Sequence, residues 1–132
     1  MTPYHVFHLN FLKLTYNNLI KQEPFNFEAP NSADMEFLER YRTLVEDVAR
    51  QEEHIYEDGQ HLMLHLVRAY PHLVPLIPRD LLWYFGGDCL HYMPDEEIAI
   101  YQRLDEMRHD AEQRGDESFR YEEARANLLG LN

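Results

Sequence analysis

Arg79-Asp80-Leu81-Leu82-Trp83-Tyr84-Phe85-Gly86-Gly87-Asp88-Cys89-Leu90-His91-Tyr92 has large apolar or aromatic side chains on every helical face, and Met93 continues them. A helix of that kind is normally buried at the middle of its fold. Pro78 or Asp80 suits its first turn, because proline needs no amide partner there and aspartate complements the positive end of the helix. Gly86-Gly87 interrupts the run. Each glycine inside a helix costs about 1 kcal/mol relative to alanine, so the pair either admits a close neighbour or divides the helix. The expectation is a central apolar helix over about 79–92.

Downstream, Pro94-Asp95-Glu96-Glu97 is a compact helix start, with proline and then three acids in the first turn. That helix runs to about Arg114, turns Ile98, Tyr101, Leu104 and Ala111 inward, and stops at Gly115. A last short helix, between Ser118 and Leu129, carries Phe119, Leu128 and Leu129 and ends at Gly130. Upstream, Pro71, Pro75 and Pro78 separate the central run from a helix over 60–70 that carries Leu62, Leu66 and Tyr70. Residues 34–57 read as one helix with the stripe Leu38, Tyr41, Val45, Val48 and Ile55, capped by Ser32 or Asp34, with Gly59 at its end or in a bend. Residues 4–22 read as the first helix, with Tyr4, Phe7, Phe11, Leu14 and Asn18 on one stripe and Leu12 and Leu19 beside it. The loop 23–33 follows, and Phe25 and Phe27 tuck it onto the core. No segment alternates with period two, and Thr, Val and Ile are sparse. The fold class is therefore all-α, a single domain over 1–132 with five to six helices around the 79–92 rod.

The chain has 132 residues, 24 acids against 12 bases, and a net charge of −12. The excess lies in two blocks, 34–58 and 95–132, each with a net charge of −6, on either side of a neutral, apolar middle. Such a surface repels phosphate backbones and anionic lipid, and no basic cluster offsets it, so neither nucleic acid nor membrane is an expected partner. No uncharged apolar run reaches the length of a membrane span. The N-terminus lacks the pattern of a signal peptide, and the single cysteine, Cys89, excludes an internal disulfide and a multi-cysteine zinc site. These features point to a cytoplasmic protein.

The segment Ile77-Pro78-Arg79-Asp80-Leu81-Leu82-Trp83-Tyr84-Phe85-Gly86-Gly87-Asp88-Cys89-Leu90-His91-Tyr92-Met93-Pro94-Asp95-Glu96-Glu97-Ile98 resembles a family of small acidic bacterial proteins of unknown function. The resemblance is strongest over 70–132. It implies a cytoplasmic bacterial protein. Members sometimes carry a dehydrogenase label, which finds no counterpart here, because there is no Gly-x-Gly-x-x-Gly turn and no strand to carry one.

Three constellations bear on chemistry. In Gly86-Gly87-Asp88-Cys89-Leu90-His91, a helix points residues 89 and 91 about 200° apart, so Cys89 and His91 do not form a thiolate pair. Asp88 and His91 share a face. The structural reading is a glycine contact with Asp88 capping the following piece. The functional reading is a partner or ligand site of Trp83, Tyr84, Gly86, Gly87, Asp88, His91 and Tyr92. His61 and His65 share a face one turn after Glu57 and Asp58 and are the metal candidates. The glutamate that a zinc-protease motif requires after the first histidine is missing. Glu106-Met107-Arg108-His109 has di-iron spacing but no second copy. Adjacent acids such as Glu52-Glu53, Glu57-Asp58 and Glu96-Glu97 point in different directions on a helix, so a working acid/base pair must come from separate helices.

No catalytic residue and no cofactor is expected. The leading reading is a non-enzymatic protein–protein interaction or regulatory module, with a protein partner or a second copy covering part of the apolar stretch Tyr70–Met93. The alternatives are a small-molecule or metal-binding protein, or an unfamiliar enzyme, with a pocket near Trp83, Asp88, His91 and His61, and an acidic nucleic-acid mimic.

Overall fold

The structure is a computed structural model that describes residues 1–131. It is all-α. Six α-helices follow in order: α1 (Pro3–Leu19), α2 (Ser32–Ala49), α3 (Ile55–Ala69), α4 (Arg79–Phe85), α5 (Asp95–Arg114) and α6 (Tyr121–Leu129). Two short 3₁₀ segments, Pro71–Leu76 and Gly87–Tyr92, flank α4. No strand occurs among the described residues.

The 79–92 rod is two pieces. Gly86 adopts φ 70° and ψ −148°, a conformation essentially restricted to glycine, and Gly87 also has positive φ. The α-helix therefore stops at Phe85, and the chain re-enters as a 3₁₀ turn. Asp88 makes no side-chain cap there. The central role of the first piece holds: α4 packs against α1, α3 and α5, and buries Leu81, Leu82, Tyr84 and Phe85.

The single helix expected over 34–57 is broken at 50–54. Gln51 takes the left-handed conformation (φ 58°), and the amides of Gln51 and Glu52 bond back to the carbonyls of Val48 and Asp47. This is the usual helix-ending pattern with glutamine where glycine is common. Gly59 lies inside α3, where its bare Cα lets the Phe85 ring approach: a Cβ there would sit 2.1 Å from Phe85 Cδ1. The cap of α2 is Asn31, whose side chain accepts from the Asp34 amide at 2.9 Å. Phe25 tucks in beside Phe37 and Tyr70, whereas Phe27 faces outward.

The buried face of α1 is rotated from the expected stripe. His8, Leu9, Leu12, Thr15 and Leu19 are buried, while Leu14 is exposed and Asn18 half-exposed. The helix also ends at Leu19 rather than 22. Prediction and structure agree on α5, which starts after Pro94 and stops at Gly115, in the left-handed conformation, with Tyr101, Leu104 and Ala111 buried. The tail helix ends at Gly130 as expected, but begins at Tyr121.

Candidate functional site

The glycine segment does not assemble a joint site. Trp83 points back into the fold, where its indole N–H donates to Asp105 Oδ2 at 3.0 Å and its ring lies on Tyr101. Tyr84 is buried, with its ring stacked on His8 at 4.5 Å and its hydroxyl 2.6 Å from His5 Nδ1. Gly86 and Gly87 form the turn, and Gly87 lies so close to Gln60 that a Cβ would sit 2.5 Å from its side-chain oxygen. Asp88, His91 and Tyr92 lie outside on the 3₁₀ turn. The Tyr92 carbonyl accepts from Arg79, which also holds Glu97. Cys89 is buried, with its thiol directed at the Gln60 carbonyl, while His91 is exposed. Burial, with the nearby Asp88 charge, pushes that thiol up to about 11. From Tyr70 to Met93, Tyr92 is the one large hydrophobic side chain that is exposed, at 40%.

The metal candidates separate. His65 Nδ1 accepts from Arg40 Nη1 at 3.0 Å, and its ring packs on Phe37. His61 is exposed and lines a charged cleft between α2 and α3 with Glu36, Glu39, Arg40 and Asp58. Glu106 and His109 both face solvent. The atoms with metal-binding spacing are those of Asp47, His54 and Asp58, all within 4.8 Å of one another. Two of these residues are exposed, and His54 Nε2 already stands 3.3 Å from a carboxylate oxygen of each aspartate.

A different place concentrates chemistry. The first turn of α1, the second half of α5 and the start of α6 meet around the Tyr4 ring. The Arg108 guanidinium lies 3.9 Å over its face, Tyr121 meets it edge-on at 5.1 Å, and His8 lies at 4.5 Å. Asp105 stands 3.6 Å from Arg108. Four buried polar atoms of this group have no hydrogen-bond partner within the described residues: His8 Nε2, Asp105 Oδ1, Arg108 Nε and Tyr121 OH. His8 is 1% exposed and Tyr121 6%. Asp105 Oδ1 faces Arg108 Nη2 at the 3.6 Å ion pair, which leaves three atoms with no such partner, and leaving a buried polar group unsatisfied costs about 1–3 kcal/mol.

Local electrostatics define the state of each group. Burial lowers His8 from 6.5 to about 4, against the opposing hydrogen bond from its Nδ1 to the Tyr4 carbonyl at 2.7 Å. The ring is therefore neutral at pH 7: Nδ1 carries the proton and Nε2 offers a bare lone pair. Burial also pushes the Tyr4 and Tyr121 hydroxyls well above the normal tyrosine range, so both stay protonated. Behind the cluster, Asp80 is clamped by Arg125, and the Arg125 guanidinium lies over Phe7 and Phe11.

On the outer side, Tyr4, Arg108 and Tyr121 form part of the wall of a cleft of about 430 Å³. Thr2, Pro3, Ala111, Glu112, Gly115, Asp116, Glu117, Phe119 and Arg120 complete it. That volume lies in the range of small-molecule sites. Sequence reading missed this place. Its residues come from three helices, and one sequence signal pointed to it, a histidine between Phe7 and Leu9 in an apolar helix.

Fold and site together define a small all-α protein with an unsatisfied polar cluster behind a surface cleft. The chain belongs to the PA2817-like family, whose profile matches residues 1–132, so the kinship includes the N-terminal half as well as the 70–132 segment. No curated protein and no solved structure matches it. No helix among the described residues is long and apolar enough to cross a membrane.

Proposed function

We propose that this chain is a non-catalytic binding protein that takes a small organic ligand into the cleft between α1, α5 and α6. The observation that carries the proposal is that two residues of the cleft wall, Arg108 and Tyr121, hold buried polar atoms (Nε and the hydroxyl) without a hydrogen-bond partner among the described residues. Arg108 Nε donates, and the Tyr121 hydroxyl donates or accepts. A polar group on a ligand can satisfy both, and proteins break local rules of this kind at functional sites. The reading also favours a small ligand over protein docking through the 70–93 stretch, since Tyr92 alone of that stretch's aromatic side chains is exposed. A single domain over 1–132 and a cytoplasmic setting, suggested by one buried, unpaired cysteine, belong to the same proposal.

The test is a fragment screen against isotope-labelled full-length protein, read by amide chemical shifts. Saturable hits should move Thr2, Tyr4, Arg108, Gly115 and Tyr121. Hits confined to the α2–α3 cleft around Arg40 and His61, or no hits, contradict the proposal.

A further inference from the structure

We infer that Asp47, His54 and Asp58 form a binding site for one divalent transition-metal ion of zinc type, next to the cleft between α2 and α3. The site shares no residue with the α1–α5–α6 cleft, and the inference stands without that reading.

The chain builds the triad in one turnaround. Asp47 lies in the last turn of α2, and Gln51 then takes the left-handed conformation that ends the helix. The Glu52 amide bonds back to the Asp47 carbonyl, so the turn is anchored on Asp47 itself. His54 follows at the N-cap position of α3, and Asp58 lies four residues on, one helical turn away on the same side. An aspartate from each helix thus flanks a single imidazole.

The distances suit an ion better than a proton. His54 Nε2 stands 3.3 Å from Asp47 Oδ2 and 3.3 Å from Asp58 Oδ2, and ligand atoms of the three residues all lie within 4.8 Å of one another. Nε2 carries at most one proton, so it does not serve two carboxylates at once. Both separations exceed the roughly 2.7–2.9 Å of a charge-assisted hydrogen bond. Zinc bonds of about 2.0–2.1 Å, at the tetrahedral angle, set neighbouring donor atoms about 3.3–3.4 Å apart.

The charge balance points the same way. No lysine or arginine among the described residues forms an ion pair with Asp47 or Asp58. Arg50 takes Glu46, and Arg40 takes His65. The Asp47 side chain is only 18% exposed, so water does little to offset its charge.

The donor set is mixed, one imidazole nitrogen with two carboxylate oxygens. Zinc and its neighbours take such a set, whereas magnesium and calcium favour oxygen alone. Three protein ligands leave the fourth position of a tetrahedral ion open. Asp47 and Asp58 both line the α2–α3 cleft of about 460 Å³, and His61, one turn beyond Asp58, lines it too.

The experiment strips the full chain with a chelator and titrates it with zinc chloride, read by the ring signals of His54 and the amide shifts of Asp47 and Asp58. Zinc should move these saturably with one ion per chain, and magnesium at the same concentration should not. His54→Asn and Asp58→Asn should each weaken zinc binding by more than about tenfold. Both side chains are about half exposed, so the metal-free variants should melt with the wild type. Glu36→Gln with Glu39→Gln, in the same cleft, should leave the affinity unchanged. Zinc shifts at other histidines with His54 silent overturn the inference on the wild-type chain alone. Undiminished binding to His54→Asn, equal weakening by the Glu36 and Glu39 pair, or an equal response to magnesium overturns it too.

Discussion

Arg125, on the last helix, holds Asp80, on the central one, at two points: Nε to Oδ1 at 2.6 Å and Nη2 to Oδ2 at 2.9 Å. Asp80 is 2% exposed. This clamp ties α6, a helix of nine residues, to the core. Breaking a buried pair leaves a lone charge in low dielectric, at a cost of about 3–5 kcal/mol. Asp80→Asn and Arg125→Met should each lose that order of stability in urea unfolding. The double variant should lose clearly less than the sum. Additive losses would mean that the two residues act independently.

His8 makes stability depend on pH. Its pKa is about 4 in the folded protein and 6.5 in the unfolded chain. Between those values the unfolded state binds a proton that the native state refuses. Stability is therefore full above pH 6.5 and declines as pH falls toward 4, by about 3 kcal/mol in total. The difference in unfolding free energy between wild type and His8→Phe, followed over that window, should change by this order. A constant difference would show that His8 titrates normally in the fold.

Gly59→Ala should destabilise the protein although alanine favours helices. The new methyl lands 2.1–2.5 Å from three ring atoms of Phe85, itself buried. Overpacking of this kind costs about 1–3 kcal/mol, more than the roughly 1 kcal/mol gained in helix propensity. The melting temperature should fall, and Phe85→Leu should recover part of the loss in combination. A rise in melting temperature for Gly59→Ala alone would contradict this packing.

Cys89 should be inert in the native state. Burial raises its thiol to about 11, and no solvent reaches it. A disulfide reagent at pH 8 should label it at the rate of unfolding, and rapidly in urea. Fast labelling of the folded protein would show the 3₁₀ turn open.

Legibility in the sequence followed the strength of local signals. Residues 95–115 were readable because Pro94, three acids and Gly115 mark both ends of α5. The α2–α3 break was hidden, since Gln51 takes a conformation that glycine would have advertised. Gly59 misled for the converse reason: it serves a ring contact rather than a helix end. On α1 the aromatic stripe Tyr4, Phe7 and Phe11 looked like the core face, yet large rings reach sideways, and the face through His8, Leu12, Thr15 and Leu19 is the buried one. That rotation concealed the site. Asp105 and Arg108 read as surface charge on an acidic helix, and Tyr121 as the start of a tail. Their meeting around Tyr4 is a tertiary fact with no local trace.

The measurement that addresses the central claim most directly is the stability of Tyr121→Phe taken together with binding of the best cleft ligand. A hydroxyl kept for a ligand contributes nothing to the empty fold, so removing it should leave unfolding free energy equal or higher and weaken binding. A loss of stability of more than about 1 kcal/mol, or undiminished binding, would contradict the account.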